Sequence, residues 1–225
     1  IDYRELRSRC ERLKEIIDGA TEIRVTNRGG TDLRLGVRGR KTKLDDGDYS
    51  LPGSGGNMPA GEVFISPELG TANGTIVFDG SIANAAGDII IHTPIRCRVE
   101  SGYVTGIEGA DEARALEATI EAAASNALAM GRDGKLLRDK AEEYARNARN
   151  IGELGIGLNP RARVVGNMLE DEKAFRTCHF AIGHNYDEDA PALIHLDGLV
   201  SEPTIVVVSA KGKETVIERN GELLV

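Results

Sequence analysis

Short apolar runs with a period of two, each cut off by glycine or proline, constrain this chain more than any other feature. Thr75 to Phe78, Asp88 to His92, Ile95 to Glu100 and Tyr103 to Ile107 are rich in β-branched residues, the pattern of a meandering antiparallel sheet. The same period runs through Ile23, Val25, Leu33, Leu35 and Val37 around Asn27-Arg28-Gly29-Gly30-Thr31, which predicts a hairpin. Cys178 to Gly183, Leu193 to Asp197 and Thr204 to Ser209 read as further strands, and Asn220-Gly221 predicts a closing hairpin within Val216 to Val225. Helical spacing is confined to two places. Tyr3, Leu6, Cys10, Leu13 and Ile17 form one stripe of a helix from Asp2 to Asp18, ended by Gly19. Asp111 reads as the N-cap of a second helix through Leu116, Ile120, Ala123, Ala127 and Met130, broken at Gly131 to Gly134 before a third from Lys135 to about Ala148. The expected fold is α+β: a twisted, mostly antiparallel or mixed sheet with helices packed on it around one main core.

Composition narrows the function. A formal charge of −8 and a pI near 5.2 argue against nucleic acid, which calls for clustered lysine and arginine. No apolar run approaches the roughly 20 residues of a membrane-spanning helix, so no membrane partner is expected. Cys10, Cys97 and Cys178 are odd in number and form no CxxC pair, which implies reduced thiols. The chain opens at Ile1 without a charged segment leading into an apolar one, so no secretion signal is expected and a cytoplasmic location follows.

Metal-binding residue types concentrate between Asn150 and Asp197: Glu153, Glu172, His179, Tyr186, His195 and Asp197, with three of the four histidines of the chain. In Ile194-His195-Leu196-Asp197 the period of a strand points His195 and Asp197 to one face and the two apolar residues to the core. Glu62 opens a strand after the Pro/Gly/Ser loop Leu51 to Gly56. Glu153 lies in Ile151 to Gly157, too glycine-rich for a helix, and is expected on irregular backbone. Each of these residues alone is more often a hydrogen-bonded polar group. Together they form a mixed nitrogen and oxygen set suited to zinc, cobalt or manganese. Glu62, Glu153, Glu172 and Asp197 ionised in one cleft are costly unless offset, and two divalent cations about 3.5–4 Å apart offset them. Glu170-Asp171-Glu172 alone reads as a solvated acidic rim.

At these residues the chain resembles the thermophilic aminopeptidase T and S family of metallopeptidases. The matching segments are Gly30 to Leu33, Asn57 to Phe64, Asn73 to Ile76, Asn150 to Gly157, Asp171 to Lys173, Cys178 to Gly183 and Ile194 to Gly198. The resemblance implies a metal-dependent aminopeptidase: Glu62, Glu153, Glu172, His179, His195 and Asp197 as ligands, Glu153 bridging and able to shuttle a proton, and Tyr186 stabilising the tetrahedral intermediate. It implies two divalent ions, zinc or cobalt ahead of manganese or magnesium, a peptide substrate and a homodimer. Residues 1–20 would be the family's linker helix and 21–225 its catalytic domain, without the N-terminal α/β domain. Relatives on this scaffold include dihydroxypyridine ring-cleaving dioxygenases that bind one iron through the His-x-Asp pair. Retention of Glu153 and His179 is expected to favour the dinuclear hydrolase over that alternative; a third reading is a non-catalytic domain.

Overall fold

A computed structural model describes residues 1–225. Helix α1 (Tyr3–Asp18) is capped by Asp2, whose carboxylate accepts from the backbone N–H of Arg4 and Glu5, and it buries Leu6, Cys10, Leu13 and Ile17 as one stripe. The expected hairpin follows as β1 (Ala20–Thr26) and β2 (Asp32–Gly36). Then come β3 (Lys43–Asp45), β4 (Glu62–Ile65), β5 (Asn73–Phe78), β6 (Ser81–Asn84), β7 (Gly87–Ile90), β8 (Ile95–Glu100) and β9 (Tyr103–Glu108). Two helices, α2 (Asp111–Arg132) and α3 (Arg138–Asn147), interrupt the strands. The chain finishes with β10 (Ile151–Gly157), α4 (Met168–Asp171), β11 (Thr177–Gly183), β12 (His195–Ser201), β13 (Thr204–Ser209), β14 (Glu214–Arg219) and β15 (Glu222–Leu223).

The strands divide into two sheets: an eight-stranded one ordered β15-β14-β13-β1-β2-β5-β8-β9 and a seven-stranded one ordered β3-β4-β10-β11-β12-β6-β7. All the strand pairings are antiparallel. One cluster of 38 buried residues joins the sheets, with Ile23, Leu35, Ile76 and Phe78 of the larger meeting Ile65, Leu154, Phe180 and Leu196 of the smaller. At the contact a Cβ on Gly198 would lie 2.6 Å from Phe78 Cδ1, so the absence of a side chain there lets the sheets close. No helix is long and apolar enough to cross a membrane.

Two expectations shift. Asp111 is the first helical residue rather than the cap, which is Ala110. Ile151 to Gly157 is a strand with all seven residues buried, and its backbone irregularity is confined to a register shift between Ile151 and Glu153. Its glycines alternate with Ile151, Glu153 and the apolar pair Leu154 and Ile156, and the period of two was masked because one face of the strand carries almost no side chains.

Away from the seven-stranded sheet's polar face, Glu218 on β14 is 2% exposed, and burial pushes its carboxyl up to about 8 against the weaker opposing pull of Arg176. A carboxyl raised in the folded state holds its proton more tightly there. Its contribution is fully present below the ordinary carboxylate range and drains away as pH rises towards 8. Glu218→Gln should therefore flatten the fall in Tm between pH 5 and pH 8, gaining several degrees at the upper end at about 2–4 °C per kcal/mol. Parallel pH profiles of variant and parent in thermal unfolding would refute this burial cost.

Candidate metal centre

Registration across five strands assembles the site. Asp45 pairs with Glu62, and Glu62 with Gly157. Phe64 pairs with Gly155, and Gly155 with His179. Glu153 pairs with Ala181, Ala181 with Asp197, and Gly183 with His195. Since directly paired residues share a face, these side chains all project from one face of the seven-stranded sheet, while Val63, Leu154, Ile156, Cys178, Phe180 and Leu196 enter the core from the other. Small residues at 155, 157 and 181 leave room for the longer polar ones to converge. A Cβ on Gly155 would lie 2.1 Å from His179 Cε1 and Nε2, so the imidazole lies directly on that glycine.

The convergence is close. His179 Nε2 is 3.1 Å from Glu153 Oε1 and 3.5 Å from Glu62 Oε2; His195 Nε2 is 3.3 Å from Asp197 Oδ1 and 3.8 Å from Glu153 Oε2. His195 Nδ1 lies 2.8 Å from the His184 carbonyl, which can only accept, so Nδ1 carries a proton and Nε2 is the nitrogen turned to the cleft. Glu62 Oε2, Glu153 Oε2 and Asp197 Oδ1 are buried without a hydrogen-bond partner. Orphaned oxygens beside two imidazoles fit a divalent cation, and ligand atoms of Glu153, His179 and Asp197, or of Glu62, Glu172 and His179, all fall within 4.8 Å of one another.

Burial opposes charge on both imidazoles, yet the Glu153 hydrogen bond with neighbouring carboxylates pushes His179 up to about 10, and Asp197 pushes His195 up to about 9. Conversely, although burial opposes it, the adjacent His195 imidazole holds Asp197 below its usual range. Burial pushes Glu62 up to about 8 and raises Glu172. Tyr186 stands beside the cluster, its ring centroid 5.0 Å from that of His195 and 5.4 Å from that of Phe64. Burial and the Glu153 carboxylate push its phenol up to about 12, so it stays an O–H donor. Glu62, Glu153, Glu172, Tyr186, His195 and Asp197 open onto a cleft of about 370 Å³ that Asp45, Asp46, Asp48, Tyr49 and Ser54 to Asn57 also line, with His179 beneath it.

All seven expected residues thus come together. What sequence reasoning missed is a buried cation. Lys173 is 0% exposed, and its ammonium lies 2.8 Å from Glu62 and 3.4 Å from Asp45 and also bonds Glu172. Burial disfavours that charge, but Glu62 and Glu172 hold it above its ordinary range. Nor is the acidic run beside it a solvated rim: Asp171 and Glu172 are buried, with Asp171 accepting from the backbone N–H of Val165 and Gly166. A fully buried Lys173 is signalled only by its place directly after a candidate ligand.

The family model described as NicX, 2,5-dihydroxypyridine 5,6-dioxygenase, matches residues 2–181, which include Glu62, Glu153, Glu172 and His179 but not His195 or Asp197. The 2,5-dihydroxypyridine 5,6-dioxygenase of Pseudomonas putida KT2440 is 27% identical over 162 residues, covering 69% of this chain and 39% of that protein. Among solved structures, 2,5-dihydroxypyridine dioxygenase from the same organism superposes with a TM-score of 0.75 at 20% identity over 98% of this chain and 59% of its own. AmpT from Thermus thermophilus superposes with a TM-score of 0.74 at 18% identity over 99% of this chain and 55% of its own. Both superpositions establish the fold, and the chain spans well under two thirds of the relatives it matches.

These findings overturn the expected metallo-aminopeptidase: the matched family and the curated relative are dioxygenases, not peptide hydrolases. The dinuclear zinc or cobalt centre falls with it, because the matched family is the ring-cleaving one that the His-x-Asp resemblance tied to a single iron. Retention of Glu153 and His179 did not discriminate: both lie within the residues that the dioxygenase family model matches. The argument from four uncompensated carboxylates failed because Lys173 supplies counter-charge inside the cluster.

Gly155→Ala should displace the His179 ring and weaken divalent metal binding about 10–100-fold while the strand core stays folded. Calorimetric titration with Co(II) showing parental affinity would mean His179 does not ligate. The comparisons leave one assignment standing: this chain belongs to the NicX, 2,5-dihydroxypyridine 5,6-dioxygenase, family.

Proposed function

We propose that this chain is the metal-binding part of a mononuclear iron enzyme that opens a hydroxylated nitrogen heterocycle with dioxygen. The observation that carries the reading is the set His179, His195 and Asp197 on one sheet face, the two-histidine, one-carboxylate donor type of non-haem iron oxygenases, in a chain of a ring-cleaving family. A ferrous ion held there supplies the one-electron and dioxygen chemistry that side chains lack.

The rest of the chemistry belongs to the chain's own groups. Glu153, within reach of both imidazoles, orients them and is placed to accept a proton from a ring hydroxyl. Lys173 holds Glu62 and Glu172 in place and tempers the negative charge of the cleft, so that an ionised ring hydroxyl can enter. Phe64 and Tyr186 form an aromatic wall against which a flat ring can stack, with the phenol of Tyr186 as a hydrogen-bond donor. Part of the same proposal is that residues 1–20 form a linker helix, residues 21–225 the catalytic body, and two copies a homodimer.

The test is oxygen uptake by protein loaded anaerobically with Fe(II) and supplied with 2,5-dihydroxypyridine. We expect one dioxygen consumed per ring absorbance lost, and a loss of about a hundredfold or more in His195→Ala and Asp197→Ala. A protein that binds iron yet neither consumes oxygen nor perturbs the ring spectrum would defeat the reading.

A further inference from the structure

The segment from His184 to Leu193 joins β11 to β12 and carries Tyr186. It is tied to itself through Asn185, which is fully buried: its Nδ2 donates to Asp189 Oδ1 at 2.6 Å and its Oδ1 accepts from Ala190 N–H at 3.1 Å. It is also tied outwards. Arg40 Nη1 lies 3.1 Å from Asp187 Oδ2 and 2.8 Å from Asp189 Oδ2, and Lys43 Nζ lies 2.8 Å from Asp187 Oδ1. The Lys43 ammonium also donates to the Tyr186 carbonyl and sits 5.8 Å from the centroid of its ring.

Arg40 lies just before β3 and Lys43 is its first residue, at the edge of the seven-stranded sheet, whereas the segment they grip joins β11 and β12, three and four strands further in. The ionic cluster therefore spans the cleft instead of bracing a neighbouring turn. Neither Arg40, Lys43 nor Asp187 lines the cleft; Tyr186 does. Tyr186 is 50% exposed, so burial against Phe64 and His195 alone is a weak restraint on its ring. A carboxylate shared between two cations, with Arg40 only 13% exposed, restrains geometry better than an isolated surface pair.

We propose that Asp187, gripped by Arg40 and Lys43, is a positioning residue that holds the Tyr186 phenol across the mouth of the metal-binding cleft. The functional meaning rests on the reading of that cleft given above, but the clamp itself is a property of the folded chain.

The test uses protein labelled with 3-fluorotyrosine, in which the chain's five tyrosines give five fluorine resonances and Tyr186→Phe assigns the one of interest. In the parent, its shift should be displaced from the free amino acid by the flanking Phe64 and His195 rings and resist broadening by a soluble nitroxide. Asp187→Asn should lose about half or more of that displacement and gain nitroxide broadening, with the other four resonances and Tm unchanged, and Asp187→Glu should restore the parental signal. Arg40→Met, which leaves the carboxylate intact, should reproduce the loss. A Tyr186 resonance that keeps its shift and protection in both Asp187→Asn and Arg40→Met would overturn the proposal. Because the readout needs neither metal nor substrate, it is independent of the metal assignment.

Discussion

The site is organised by a single buried ammonium. Asp45, Glu62 and Glu172 converge from two strands and the segment after α4, and Lys173, with no exposed surface, lies among all three. Carboxylates buried together without a counter-charge are strongly unfavourable, and removing one partner of such a cluster typically costs about 3–5 kcal/mol. Lys173 thus allows one half of the cleft to be acidic in the folded chain. The other half, with His179, His195, Glu153 and Asp197, keeps two unpartnered carboxylate oxygens and is where a divalent cation fits. Lys173 thus supplies part of the counter-charge that a count of carboxylates had assigned to two metal ions.

The sheet makes this arrangement possible by separating its faces. Along β10, β11 and β12 the same alternation that buries Leu154, Ile156, Phe180 and Leu196 presents Glu153, His179 and Asp197 opposite. Glycine and alanine between them matter as much as these polar residues, since His179 occupies the space that a side chain on Gly155 would fill. A ligand set built from facing strands is rigid, and the loops around it are free to shape the cleft.

Much of this was readable in the residues. Period-two runs located most of the strands, and His195 and Asp197 fall on one face as alternation requires. The two-sheet division was not readable, because β3 and β6 are too short to carry a pattern and the pairing of β4 with β10 spans some ninety residues. Strand β10 was hidden because glycine contributes neither apolar nor polar signal to a period. Lys173 was hidden because a lysine in an acidic run looks solvated whether or not the chain buries it. The candidate residues by themselves did not separate peptide hydrolysis from ring cleavage; the family match set the hydrolase expectation aside.

The central claim is that the folded chain offers one divalent site, with Lys173 as the second cation of the cleft. Metal stoichiometry with X-ray absorption on the Fe(II)-loaded protein tests it most directly. The account predicts one iron per chain in a shell of nitrogen and oxygen donors that includes two imidazoles, at about 2.0–2.2 Å, with no metal–metal scattering. Two ions per chain with a metal neighbour at about 3.5–4 Å, or one ion without imidazole in its shell, would contradict it.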